Sequence, residues 1–252
     1  MGRLDDVALL TKTLYDITEF RISLANRMRQ YGLADQPFQW WPDRLKEVKA
    51  MERDFQKELK DRLSKAGFDK FMDIKGIGPR VAGAIIMYVV KTERLHDEKG
   101  KYIGTRFYDE FMKFKGARSL FHYAGLIPIC KYCGLTESQC VNEQSVIVRV
   151  GKEDKEFIGC GDYEAKAAKE RRGKPVTWNP SFRKRLLSLA SSLFRTGGPY
   201  ADIYKRERAK AEESHPDWAK GARFNHAKKM MMRQLLKDFY FEYLKGEGED
   251  EI

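Results

Sequence analysis

Four cysteines, Cys130, Cys133, Cys140 and Cys160, are all the thiols this chain has. Cys130-Lys131-Tyr132-Cys133-Gly134 forms a C-x2-C-G knuckle, and Cys140 and Cys160 supply two more sulfurs. Four thiolates in a tetrahedron are a common structural Zn²⁺ set, and their softness favours zinc over magnesium or calcium. The spacing is irregular for a zinc ribbon, because 146–158 between Cys140 and Cys160 reads as a β-hairpin with a polar turn. The expected ligand is zinc. An iron–sulfur cluster and unrelated buried cysteines are the alternatives. A closed four-cysteine site leaves no open coordination position, so its expected role is structural.

A second chemical pattern is Ile74-Lys75-Gly76-Ile77-Gly78-Pro79-Arg80. Two glycines flank one aliphatic residue ahead of a proline, which is the pattern of a helix-hairpin-helix. Gly76 and Gly78 permit backbone angles closed to other residues and a close approach to phosphate. Pro79 suits the first helical position, and N–H groups at a helix start face an anion site. Lys75 and Arg80 add charge. Lys75, Gly76, Ile77, Gly78 and Arg80 are therefore candidate nucleic-acid contacts, with a tight turn between core helices as the plain alternative.

A third pattern is basic. From 166 to 195 there are nine basic residues and one acidic residue, Glu170. Arg171, Arg172 and Lys174 precede the next helix, and Arg183, Lys184 and Arg185 occupy its first turns. Cations there oppose the helix dipole, which suggests an anionic partner. The whole chain agrees: 48 Lys+Arg against 37 Asp+Glu in 252 residues give a net charge of +11. Such an excess favours a polyanion, nucleic acid first.

The elements that must position these residues are mainly helical. Val7, Leu10, Leu14, Ile17, Leu24, Met28 and Tyr31 recur at steps of three and four, with Arg21 filling the one gap. Leu45, Val48, Phe55, Leu59 and Leu63 repeat the pattern up to Gly67. The two stretches predict an antiparallel coiled-coil hairpin over 1–67, with two amphipathic helices of one globular domain as the plain alternative. It would close on itself or pair with a second copy, and a homo-oligomer is expected. The helix-hairpin-helix region covers 68–129, with a helix from Pro79 to about Thr92. A polar turn or small hairpin follows at 96–101, and helical spacing resumes over 106–114. A short helix is expected over 117–123. The zinc-binding β-hairpin insert covers 130–162. The basic helical part covers 163–245, with helices over 182–196, 200–214 and 217–244. Asn179 or Ser181 caps the first of these. The last carries a stripe that includes Ala222, His226, Lys229, Met230, Arg233 and Leu236. An acidic tail fills 246–252.

Segments in this order resemble the insertion-sequence one-ten family of transposases. The likeness is carried by Ile74-Lys75-Gly76-Ile77-Gly78-Pro79, Arg106-Phe107, the stretch from Leu120 to Pro128, the stretch from Asn179 to Leu187, and His226-Ala227-Lys228-Lys229-Met230. It covers roughly 68–245, and 1–67 corresponds to the family's coiled coil. The resemblance implies a transposase-like DNA-binding protein. Two departures bear on chemistry. Nothing here corresponds to the family's RuvC-like domain, and the expected catalytic serine position, followed by glycine, is held by Cys133-Gly134. A cysteine that ligates a metal is not free to attack a phosphodiester, and no catalytic residue is assigned.

The expected function is binding of DNA, with RNA also open, through the hairpin and the basic helical face, without strand cutting. The alternatives are an active recombinase subunit that links covalently to DNA, and a zinc-stabilised coiled-coil assembly or packaging protein. Met1 to Asp6 has no apolar signal core, and the apolar run 81–90 is shorter than the ~20 residues that span a bilayer. The expected setting is cytoplasmic, nucleoid-associated or encoded by a mobile element or virus. In that reducing compartment the cysteines would not form disulfides.

Overall fold

The computed structural model describes residues 3–32, 40–130, 132–133, 135, 137–140, 145–150, 153–158, 160, 165–166, 176 and 178–245. The fold is mainly helical, with short antiparallel strand pairs. The chain forms two compact units, Met1–Met112 and Lys113–Ile252.

In the first unit, α1 (Leu4–Gly32) and α2 (Trp41–Lys65) form the expected antiparallel coiled-coil hairpin. Arg21 meets Glu52 and Asp6 meets Arg62, so residue numbers run in opposite directions along the seam. Gly67, at φ 87°, ends α2, and the Phe68 N–H donates back to the Leu63 carbonyl at 3.0 Å. One turn, α3 (Asp69–Met72), leads through the glycine hairpin to α4 (Pro79–Val89). α4 is apolar on most sides because it packs on both helices of the hairpin. Gly83 makes that packing possible. A Cβ there would lie 2.4 Å from Thr11 Oγ1 and 3.2 Å from Leu59 Cδ2. The helical hairpin and the glycine hairpin, read as separate segments, thus share one core.

The expected helix to Thr92 stops at Val89, and 106–114 is not a helix. β1 (Val90–His96) pairs antiparallel with β2 (Tyr102–Phe111). The steps between Phe107, Phe111 and Phe114 imitate a helical period, but Thr105, Phe107, Asp109 and Phe111 also alternate as a strand does. The turn decides. Asp97 Oδ1 accepts the N–H groups of Lys99 and Lys101 at 3.0 and 2.8 Å, and Gly100 takes φ 73°.

The second unit begins with α5 (Ala117–Tyr123), the expected short helix. β3 (Ile129–Cys130) and α6 (Glu137–Cys140) follow, then the expected hairpin of β4 (Ser145–Val150) and β5 (Glu153–Ile158). β6 (Ala165–Lys166) returns to pair with β3. α7 (Pro180–Thr196), α8 (Pro199–Ser214) and α9 (Lys220–Phe239) complete the unit, and a π-helical turn over Tyr240–Leu244 extends α9. Asn179 is the α7 cap, its Oδ1 accepting from Phe182 N–H at 3.0 Å. The buried stripe of α9 includes the expected Leu236, but over 222–233 it sits one residue round from expectation. Ala227, Lys228, Met231, Met232, Leu235 and Leu236 are buried, whereas Ala222 is exposed and Lys229, Met230 and Arg233 are half-buried. The expected register would have placed Lys229 and Arg233 in the core, where desolvation penalises charge. No described helix is long and apolar enough to cross a membrane.

Candidate metal centre and cationic surfaces

The four cysteines come together. Their sulfurs all lie within 4.8 Å of one another. Cys160 Sγ is 3.4 Å from Cys130 Sγ and 3.0 Å from Cys140 Sγ. These are contacts between free thiols, because a disulfide bond would be about 2.05 Å long. Four sulfurs bound at about 2.3 Å to one tetrahedral ion would stand about 3.8 Å apart, so little movement separates the cluster from a closed ligand set. Local backbone bonds shape it. The Cys130 N–H donates to the Leu135 carbonyl at 2.7 Å, folding the knuckle, and the Tyr132 N–H donates to Cys130 Sγ at 3.4 Å. Pairing of β3 with β6 brings the chain after Cys160 back beside Cys130.

Burial pushes the Cys133 and Cys140 thiols above the ordinary cysteine value, and neighbouring thiols raise Cys140 further. Without an ion these two thiols therefore hold their protons more firmly than a free cysteine. A bound cation would displace those protons and hold thiolates. Cys133, at the position the transposase resemblance gives to a nucleophile, belongs to this cluster. The four cysteines could hold a metal ion through sulfur alone.

The glycine hairpin has the geometry its sequence implies at two points. Gly76 sits at φ 97°, where a side chain is strained. Gly78 is the N-cap of α4, and a Cβ on it would meet no atom within 4 Å. Ile77 is buried and its N–H donates to the Ile74 carbonyl at 2.8 Å, so it anchors the turn and is not a phosphate contact, whereas Lys75 is exposed. Arg80 is placed differently from a free phosphate contact. Its guanidinium donates to the Thr18 hydroxyl and lies 3.1 Å from Glu52 Oε1.

Glu52 is the residue that sequence reasoning missed. Its carboxylate also accepts from Thr18 Oγ1 at 2.8 Å and from Arg21 Nε at 2.6 Å. Burial by itself would raise its pKa. The Thr18 and Arg21 hydrogen bonds and the charges of Arg21 and Arg80 outweigh burial and hold it below the ordinary carboxylate value. The signal was present in the heptads: the α1 seam breaks at Arg21 and the α2 seam breaks at 52. Beside this cluster lies a groove of about 560 Å³, lined by Arg21, Lys46, Lys49, Arg53 and Arg80 with Glu52 and Gln56. Of these cations Arg21 and Arg80 pair with Glu52 and Lys46 pairs with Asp43, so among the described residues Lys49 and Arg53 are the ones without an ion pair.

In the second unit, Arg183, Lys184 and Arg185 open α7, with Lys184 exposed and the two arginines half-buried. Arg171, Arg172 and Lys174 lie outside the described residues.

No protein-family model, curated protein or solved structure matches this chain.

Proposed function

We propose that this protein binds nucleic acid through its phosphate backbone, DNA being the expected partner, in the manner that its resemblance to the insertion-sequence one-ten transposases implies. The groove beside α4 carries this reading, with Lys49 and Arg53 lining it beside the internally paired Arg21, Arg80 and Lys46. Gly78 adds a backbone that a phosphate can approach closely, and exposed Lys75 adds charge. Phosphate contacts of this kind fix position and carry little sequence information, so recognition would follow the shape of the nucleic acid. We assign no cutting step to the chain.

The metal we assign to the cysteine cluster is zinc. Four soft thiolates in a closed set suit its tetrahedral, redox-inert chemistry, and its contribution there is to fix the fold of the insert. Elemental analysis of protein purified without added metal should find about one zinc per chain. Iron with visible charge-transfer absorption would reject zinc in favour of an iron–sulfur cluster.

Fluorescence anisotropy against labelled duplex, four-way junction, single-stranded DNA and RNA, repeated across salt concentrations, tests the binding. Affinity should fall steeply with salt, and Lys49→Gln and Arg53→Gln should each lower the log–log slope by about one. Gly78→Val should weaken binding while leaving the fold intact, because its side chain would point into open space. No binding to any of these probes, or affinity independent of salt, would end this reading.

A further inference from the structure

A second group of cations gathers in the Lys113–Ile252 unit, around the turn at Gly125 and Leu126. Arg233 on α9 donates through Nε and Nη2 to the Leu126 carbonyl at 3.1 and 2.5 Å. Arg183 on α7 passes the same turn. A Cβ on Gly125, which sits at φ +64°, would lie 2.9 Å from Arg183 Cδ and 2.5 Å from the Trp178 ring. Lys229 lies one helical turn before Arg233, and α5 contributes Arg118. Their charges reach one another. Burial and then Arg233 and Arg183 lower the pKa of Lys229, and burial and then Arg118 lower that of Arg233.

Nothing described in the chain neutralises this group. Among the described residues, no carboxylate forms an ion pair with Arg118, Arg183, Lys229 or Arg233. Arg183 Nε is buried and donates to no acceptor. The contrast with the adjacent Lys228 is direct. That lysine is buried too, yet its ammonium donates to Ser191 Oγ at 2.6 Å and sits 4.4 Å from the Phe224 ring centroid. Lys228 is accounted for inside the fold, and its neighbour is not. Arg183, Lys229 and Arg233 are half-buried and Arg118 is exposed. Like charges gathered this way repel one another, the half-buried ones carry a desolvation penalty, and a bound anion would relieve both. Arg233 directs Nε and Nη2 to the Leu126 carbonyl and Nη1 to Met230 Sδ, so it adds charge, while Arg118, Arg183 and Lys229 have donors for phosphate oxygens.

We propose that Arg118, Arg183, Lys229 and Arg233 form a phosphate-binding site, and that its occupant is a phosphodiester of the bound nucleic acid. The second clause rests on the nucleic-acid reading above; the first stands on the cluster alone.

The test uses the full chain carrying Arg118→Gln and Lys229→Gln. Arg233 is left in place because it holds the Leu126 carbonyl. Without ligand, Lys229→Gln should unfold at the same temperature as the parent or higher, since it relieves repulsion. A clear fall in Tm would make the lysine structural and overturn the proposal. Against a labelled duplex of about 30 base pairs, the double variant should bind at least about tenfold more weakly, with a salt slope lower by about two. An unchanged slope in a parent that does bind would overturn it. If the parent binds no nucleic acid, the earlier reading fails by itself, and inorganic phosphate and pyrophosphate become the probes. A rise in Tm for the parent that the double variant lacks would support the phosphate site with a free phosphate compound as occupant. No response to either would overturn it.

Discussion

Glu52 shows how one carboxylate organises the first unit. It is about 10 % exposed and takes donors from Thr18, Arg21 and Arg80 on two other helices. Removing one partner of a largely buried ion pair leaves the others desolvated without compensation, so Glu52→Gln should destabilise the protein by about 3 kcal/mol. The pH dependence has a defined sign. The folded pKa lies below the unfolded value, so this stabilisation is fully present above the unfolded carboxylate pKa. It is lost as pH falls through the lower folded value. Urea unfolding should therefore separate parent from Glu52→Gln widely at pH 7, and the gap should close in acid below pH ~4. A gap independent of pH would mean that the side chain acts by packing and not by charge.

At the scale of elements, the approach of α4 to the helical hairpin depends on Gly83. Gly83→Ala drives a methyl into Thr11 Oγ1, so it should cost about 1–3 kcal/mol in urea unfolding. Gly78→Ala meets nothing and has a backbone that alanine adopts freely, and it should be neutral or stabilise by about 0.4–1 kcal/mol. The coiled-coil hairpin was legible because heptads are a local signal, and the cysteine cluster because all four thiols of the chain serve in it. The strand β2 was misread because Phe107 and Phe111 satisfy a helical period and a strand alternation at once, and Phe114 extends the helical one. The Asp97 turn, a few residues earlier, was the better guide. The stripe of α9 slipped by one residue because Met230, Met231 and Met232 fit either register. Arg118, Arg183, Lys229 and Arg233 were not legible as a site. Arg118, Arg183 and the Lys229–Arg233 turn are far apart in sequence, and single cations in a basic chain carry no information until the fold gathers them.

At the scale of the molecule, the segment around the cysteines is held by different means from the helical cores. Met1–Met112 has a continuous helical core built on Val7, Leu14, Leu59, Leu63 and Ile85. Around the cysteines, by contrast, the described apolar cluster is Ile129 and Trp178 with Val176 packed against them, and the β3–β6 pairing is two residues long. Segments with strand pairing this short are commonly held by a metal. The four sulfurs stand where that metal would act. Chelation under reducing conditions, or Cys140→Ser, should therefore unfold the insert and leave the first unit folded. Hydrogen exchange should show amide protection lost at Cys130 and across Glu137–Cys140, while the amides of α1, α2 and α4 keep theirs. Acid should produce the same local loss, because protons compete with the metal for thiolates. Protection unchanged on chelation would make the cysteines a packed thiol cluster with no metal role. Loss throughout both units would mean that their folding is coupled, against the separate cores seen here.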